Sequence, residues 1–262
     1  MHLSEISIYP VKSCRGLQLE STRLDRFGPA GDRRWMVVTP GGEMLTQRQV
    51  REMALVEVTP LAGGLRLGDT ITGQEVGYPE DDGTSVSVRI WGDQVAARDA
   101  GDAAADWLEA RLGQACRLVY MPTDSIRRVD GAYAREGETV GFADGFPLLL
   151  ISQASLDDLN RRLETPVPMN RFRPNLVVAG TDPFAEDQWR RIRIGATAFD
   201  LAKPCSRCAI PSIIQETAGR DPQINRTLAG FRRVNGQILF GQNLLYRTPG
   251  VLNVGDPVEI LD

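Results

Sequence analysis

Two cysteines with two residues between them, in Lys203-Pro204-Cys205-Ser206-Arg207-Cys208, form the sharpest chemical feature of this sequence. Thiolates at that spacing can be half of a zinc site, a redox disulfide, or a loop that presents one sulfur to a metal. A four-sulfur zinc site would have to recruit Cys14 and Cys116, which stand alone rather than paired. A thioredoxin-type redox pair opens a helix in a βαβ unit, whereas Ala209-Ile210-Pro211 follows here in a strand-rich region. Buried structural thiols are the bland alternative, and the motif alone leaves all these readings open. Lys203 and Arg207 flank the cysteines, and positive charge beside a thiol favours the thiolate, the form that ligates metals. Such a soft ligand suits a metal that already carries sulfur.

Two further segments carry anion chemistry. In Tyr9-Pro10-Val11-Lys12-Ser13-Cys14-Arg15-Gly16 the Lys12 charge and the Ser13 hydroxyl can both address an anion, although the glycine spacing of a phosphate-binding P-loop is absent. In Arg171-Phe172-Arg173-Pro174-Asn175 a proline-fixed backbone carries guanidinium groups suited to bidentate phosphate recognition, with Asn175 as donor and acceptor. Arg33 after Gly31-Asp32 and Arg48 in Thr46-Gln47-Arg48-Gln49 are additional candidates. Taken singly, each is more often a solvated or salt-bridged surface residue.

Composition removes several classes of function. The chain has one histidine, His2, expected at a flexible end, which takes away histidine-based triads and histidine-rich zinc sites. A net charge of −4 argues against a general nucleic-acid binder, which needs a surplus of Lys and Arg. The longest apolar run, Phe146 to Ile151, is far short of the roughly 20 residues of a membrane-spanning helix. The first residues lack a basic then apolar leader, and four cysteines in 262 residues do not make a disulfide scaffold, so a reducing cytoplasmic location is expected.

The elements that must position these residues are mostly strands. Leu3 to Ile8 alternates, Trp35 to Val38 is a short buried run, and Val56 and Val58 continue a period of two. Thr39-Pro40-Gly41-Gly42 and Leu61-Ala62-Gly63-Gly64 are turn chemistry between them. A helix is predicted over Ala100 to Leu112, where Ala104, Trp107, Leu108 and Leu112 recur at helical spacing. The polar stretch Pro122 to Glu138 reads as a linker, which divides the chain into 1–121 and 122–262. Beyond it come a buried strand at Phe146 to Ile151 and a helix capped by Ser152, with Leu156, Leu159 and Leu163 on one face. Short strands follow at Leu176 to Val178, Ile192 to Ile194, Ala198 to Leu201, Leu239 to Phe240 and Pro257 to Leu261, a pattern that fits a small barrel or curled sheet.

Together, the Tyr9 to Cys14 segment, Asp32-Arg33, Thr46 to Gln49, Phe172-Arg173-Pro174-Asn175, the Pro204 to Cys208 loop and the closing Val254-Gly255-Asp256-Pro257-Val258 resemble the MOSC proteins. That family takes its name from the C-terminal domain of molybdenum-cofactor sulfurase. Within it the chain resembles the mitochondrial amidoxime-reducing components and their bacterial homologues. The resemblance runs in order along nearly the whole chain.

The resemblance implies a mainly β, α+β fold: an N-terminal MOSC-associated β-rich domain and a MOSC-type β-barrel, with a molybdenum-molybdopterin cofactor between them. It implies Cys208 as the molybdenum ligand and catalytic thiolate, Cys205 being without that role. Lys12, Ser13, Arg33, Arg173 and Asn175 match positions that hold the pterin and its phosphate, Ser206 and Arg207 lie in the same loop, and Gly145 and Phe146 match a backbone stretch beside the cofactor. The implied activity is reduction of N-hydroxylated compounds to amine or amidine plus water. Some bacterial relatives carry a C-terminal iron-sulfur domain; no cysteine cluster follows Cys208 here, so electrons are expected from a separate ferredoxin- or cytochrome-like protein with its reductase. After Cys208 the mitochondrial proteins have a Thr-Thr-Val-Asp-Pro-like run, whereas this chain has Pro211-Ser212-Ile213-Ile214-Gln215-Glu216, so different substrate-side contacts are expected. The rival from another class is a cofactor carrier or sulfur-transfer module that holds the same group without reductase activity. A β-rich binding protein with merely structural cysteines is the third reading.

Overall fold

The computed structural model describes residues 1–68, 71–79 and 84–262. It is an α+β protein rich in strand. The largest sheet has nine strands. Its path runs Val258–Ile260, Arg191–Ile194, Thr197–Ser206, Gln237–Tyr246, Leu148–Ser152, Leu176–Ala179, His2–Ile8 and Leu17–Leu19, with Arg233–Val234 pairing off Gln237–Tyr246. A four-stranded sheet joins Trp35–Val38, Arg117–Tyr120, Asp93–Asp99 and Ser85–Ile90. Two three-stranded sheets complete the set: Val58–Leu61 with Gly64–Leu67 and Gln74–Gly77, and Val251–Asn253 with Ser21–Asp25 and Gly28–Pro29.

The first strand therefore lies among strands from the far half of the chain. Leu3 and Ile6 stand opposite Val178 and Leu176, and both are fully buried against Leu148, Leu150, Phe199 and Leu244. Each such side chain removed from water contributes about 1.5–3 kcal/mol, which favours this pairing over an exposed leading strand. His2, expected at a flexible end, is the first residue of this strand, opposite Ala179.

Register then gathers the motifs. Ile6 faces Leu176 in the antiparallel pair, so Tyr9 to Ser13 leave the strand beside Arg173 to Asn175, which lead into the next. The neighbouring pair is parallel, Leu150 opposite Leu176, so Asp144 to Pro147 arrive at the same end. The strand Thr197–Ser206 carries Cys205 within it, bulges twice against Gln237–Tyr246, and releases Arg207 and Cys208 into a loop. The strand thus runs further than the predicted Ala198 to Leu201, because Gln237–Tyr246 supplies a partner from Phe199 to Ser206.

Three α-helices among the described residues brace these sheets. Helix α1 (Asp102–Leu112) buries Ala104, Ala105, Leu108 and Leu112 against Met53, Leu65, Leu67 and Leu118. It ends at Gly113, whose φ of 70° gives the left-handed stop that glycine accepts most readily. Helix α2 (Gln153–Asn160) is capped by the Ser152 hydroxyl, which accepts from the Ser155 N–H at 3.1 Å. Helix α3 (Gln223–Phe231) buries Ile224 and Leu228 beside Leu156 and Leu159 of α2. The predicted continuation of strand at Val56 is instead the end of a 3₁₀ turn, Arg51–Leu55, with the strand beginning at Val58. No helix among the described residues is long and apolar enough to cross a membrane.

Candidate cofactor pocket

A cleft enclosing about 730 Å³ of empty space, partly open to solvent, lies where those strand ends meet. It is lined by Lys12, Ser13, Arg33, Gly145, Phe146, Arg173, Asn175, Ser206, Arg207 and Cys208, so the site residues that the resemblance implies face one space, and the further candidate Arg48 is not part of that lining.

The backbone is strained around this space. Ser13, Arg33 and Arg173 adopt left-handed conformations, with φ of 67°, 44° and 56°. Non-glycine residues hold such angles only where neighbours over-determine them, and that condition gathers at ligand sites. Here the Ser13 carbonyl accepts from Gln47 Nε2 at 2.7 Å, and the Arg173 carbonyl accepts from Arg33 Nη2 at 3.3 Å.

The charges are unequal. Lys12 donates to the Phe142 carbonyl at 2.8 Å and to Asp144 at 2.6 Å. Burial pulls Lys12 below the ordinary lysine value, and Asp144 counters that pull. Burial also acts to raise the Asp144 carboxyl, but Lys12, with Arg48 and Arg33 behind it, holds it well below the usual carboxylate range. Arg33 pairs with Asp32 at 2.7 Å and donates to Asn175 Oδ1 at 2.9 Å. Asn175 is itself a pin: it accepts from the Leu149 N–H and donates to the Ser7 carbonyl, tying three chain segments together.

Arg173 and Arg207 have no carboxylate partner among the described residues. Arg173 is 7% exposed, and Gln215 Oε1 at 3.2 Å takes one of its donors. Burial and the nearby Arg33 charge lower its pKa to about 10, the Tyr9 phenol opposing them. Arg173 Nη2 and Arg207 Nε are buried with no hydrogen-bond acceptor. Buried donors on cations are costly to leave unmet, so these atoms ask for an anion. The guanidinium groups of Arg33 and Arg173 both lie over the Tyr9 ring, at 4.3 and 4.2 Å from its centroid. That stacking lets two like charges share one wall.

The cysteines divide. Cys14 is fully buried, and desolvation pushes its thiol up to about 12; Cys116 is pushed to about 11 by burial and Glu109. Both belong to the core around α1, away from the lining of the cleft. Cys205 and Cys208 are partly exposed and line the cleft. Of the two charges that flank the cysteines in sequence, the geometry brings Arg207, and not Lys203, within hydrogen-bonding reach of a sulfur. Lys203 packs 4.8 Å over the Tyr133 ring, and Arg207 donates to Cys205 at 3.2 Å and to the Phe172 carbonyl at 2.7 Å. The bulged strand and its turn into a loop set Cys208 apart from both. Its sulfur accepts instead from Arg48 Nη2 at 3.3 Å and the Ile210 N–H at 3.5 Å, while Asn225 of α3 holds its carbonyl at 2.8 Å.

Several contributors went unselected in the sequence. Asp144 sits one residue before the expected Gly145-Phe146 pair and was invisible as an isolated surface-type acid. Arg127, within the stretch read as a linker, is 4% exposed and donates to the carbonyls of Gly141, Ala143 and Asp144, fixing that wall of the cleft. Gln47 and Gln215 exchange side-chain hydrogen bonds, both at 3.0 Å, beneath Ser13 and Arg173. The run after Cys208 thus reaches the site through Gln215.

Phosphate and soft metal both fit what is present: unmet cationic donors on one wall, and a sulfur with two N–H donors at the other. Residues 137–259 match the MOSC domain, and residues 1–115 match the MOSC N-terminal beta barrel domain. Over 279 residues the chain is 33% identical to mitochondrial amidoxime-reducing component 1 of Mus musculus, covering 99% of this chain and 82% of that protein. The counterpart in Homo sapiens is 33% identical over 281 residues, with the same coverage. Molybdenum cofactor sulfurase of Oryza sativa subsp. japonica is 32% identical over 268 residues, covering 94% of this chain but 32% of that much longer protein. With both family domains matched in order and a third of its residues shared with these relatives across nearly its whole length, this chain belongs to the MOSC family, alongside the amidoxime-reducing components.

Proposed function

We propose that the chain holds a molybdenum-bearing pterin in this cleft, with Cys208 Sγ as the metal's protein ligand, and reduces N-hydroxylated compounds. The observation that carries the reading is the convergence on one cleft of a partly exposed thiol and unmet guanidinium donors. The bound group supplies the two-electron chemistry that cleaves an N–O bond, giving amine or amidine and water. Arg173 and Arg207 neutralise the phosphate, Ser13 offers it a hydroxyl, and Lys12 holds the nearby wall through Asp144. Arg33 and Asn175 keep Arg173 in its strained conformation, and Phe146, Leu148 and Leu149 give the cleft an apolar side that limits water. Electrons come from a separate donor protein of ferredoxin or cytochrome type.

The match to the plant sulfurases supports a second reading, a cofactor carrier or sulfur-transfer module without reductase activity. The test is protein made in a host that synthesises the cofactor, assayed for molybdenum by mass spectrometry and for reduction of benzamidoxime with a chemical electron donor. Near-stoichiometric molybdenum with amidine formation supports the reductase. Molybdenum without turnover favours the carrier, and no molybdenum in a cofactor-replete host sinks both.

A further inference from the structure

We propose that Arg48 is the positioning residue for the Cys208 sulfur and that Trp91, from a hairpin tip, holds Arg48 in place. The inference rests on the reading of Cys208 as the metal's ligand.

Arg48 is carried on a turn built to aim it. The Thr46 carbonyl accepts from the N–H groups of Gln49 and Val50, and the Gln49 side chain accepts from both the N–H and the hydroxyl of Thr46. The Arg48 N–H returns to the Thr46 hydroxyl at 3.2 Å. Gln47, fully buried, anchors the turn to the Ser13 carbonyl, on the lining of the cleft, and to Gln215. With Gln47 locked inward, its neighbour Arg48 is delivered to Cys208 Sγ at 3.3 Å, with Asp144 4.0 Å away. A guanidinium on a short, doubly anchored turn is a fixed donor rather than a wandering surface charge.

Trp91 covers it from above. The two-residue connection between Ser85–Ile90 and Asp93–Asp99 is Trp91-Gly92, and Trp91 has a φ of 53°, although the glycine beside it could adopt that angle at less cost. The strain puts the indole 4.5 Å from the Arg48 guanidinium and 5.9 Å from Lys12 Nζ, with 44% of the residue exposed. A bulky residue in a strained turn, stacked on the one arginine that donates to the ligand sulfur, is a placement that fold stability alone does not require. Hydrogen bonds to a ligand sulfur stabilise the more electron-rich, reduced state of a metal centre, so Arg48 raises its reduction potential.

The test uses molybdenum-loaded protein and the variants Arg48→Ala, Arg48→Lys, Trp91→Ala and Trp91→Phe, with metal content, thermal melting and an EPR-monitored redox titration for each. Arg48→Ala is expected to keep wild-type melting, to shift the molybdenum midpoint potential negative and to lower kcat by roughly 10–100-fold with KM little changed. Arg48→Lys keeps the charge without the planar stack and recovers only part of the shift. Trp91→Ala follows Arg48→Ala in direction, and Trp91→Phe, which retains an aromatic face, restores the wild-type potential. Wild-type protein with molybdenum and an unchanged potential in Arg48→Ala overturns the inference while leaving the cofactor reading intact. A shift in Arg48→Ala but none in Trp91→Ala overturns the role of Trp91. Wild-type protein without molybdenum removes the underlying reading and this inference with it.

Discussion

The Lys12 ammonium donates to the Asp144 carboxylate at 2.6 Å, the lysine side chain 7% exposed and the carboxylate 64% exposed. The lysine is therefore the more enclosed partner, and the acid meets it from the solvent side. Asp144→Asn is expected to cost about 1 kcal/mol in urea denaturation at pH 7, solvent having already screened much of the pair. The pH dependence follows from the two shifts. Asp144 is depressed in the folded state, so its contribution is whole above the ordinary carboxylate range and fades as pH falls through its lower folded value. Lys12 is also depressed, so its burial costs stability at neutral pH, and that cost lifts as pH rises through its folded value toward the ordinary 10.5. Asp144→Asn should accordingly flatten the acid limb of the stability profile and steepen the alkaline recovery; a profile parallel to wild type on both limbs would contradict the pairing.

Arg173 is expected to lower the stability of the cofactor-free protein while serving the loaded one. Arg173→Met removes an unmatched buried guanidinium and should leave cofactor-free stability unchanged or about 1 kcal/mol higher. Retention of the phosphate-bearing group should fall by roughly 10–100-fold, the worth of a charged hydrogen bond. Because burial lowers Arg173 to about 10, any stability gap between wild type and variant should narrow as pH rises above that value. Thermal melts of both proteins from pH 7 to 11, with and without cofactor, check each part.

Tyr9 contacts two guanidinium groups through its ring and donates from its hydroxyl to the Pro174 carbonyl at 3.0 Å. Tyr9→Phe deletes only that bond and should cost about 1 kcal/mol. Tyr9→Leu also removes the ring that both guanidinium groups contact and should cost about 2 kcal/mol or more. Equal losses in the two variants, measured by chemical denaturation, would show that the stacked cations contribute nothing.

What the sequence could and could not show follows from how local each feature is. The Ser152 cap and α1 were readable because a cap and a 3.6-residue period are written within a dozen residues. The cleft was readable in pieces, since Lys12-Ser13, Arg173-Asn175 and Ser206-Cys208 each adjoin a strand end and the sheet register brings those ends together. The partner of each charge was not readable. Arg48 and Arg207 look alike in sequence, yet one meets the Cys208 sulfur and the other Cys205, because the outcome depends on contacts 160 residues apart in one case and two in the other. Arg127 and Asp144 lie in or just after a polar stretch that resembles a linker, and only the folded chain shows them organising a wall of the cleft.

The four cysteines should separate into two pairs on contact with a thiol reagent. Cys14 and Cys116 are almost wholly buried and their thiols are raised by burial, so neither the sulfur nor its reactive form is available. In folded protein at pH 8 they should label at least about 100-fold more slowly than Cys205 and Cys208, and should react fully only in denaturant. Metal loading should then split the exposed pair: Cys208, once ligated, is protected, whereas Cys205, hydrogen-bonded to Arg207 but without a metal in this reading, stays reactive. Peptide mapping of maleimide-labelled protein before and after cofactor loading resolves each sulfur separately. Protection of Cys205 in place of Cys208 would exchange their roles, and protection of neither would mean that the cleft binds its ligand without a protein thiolate.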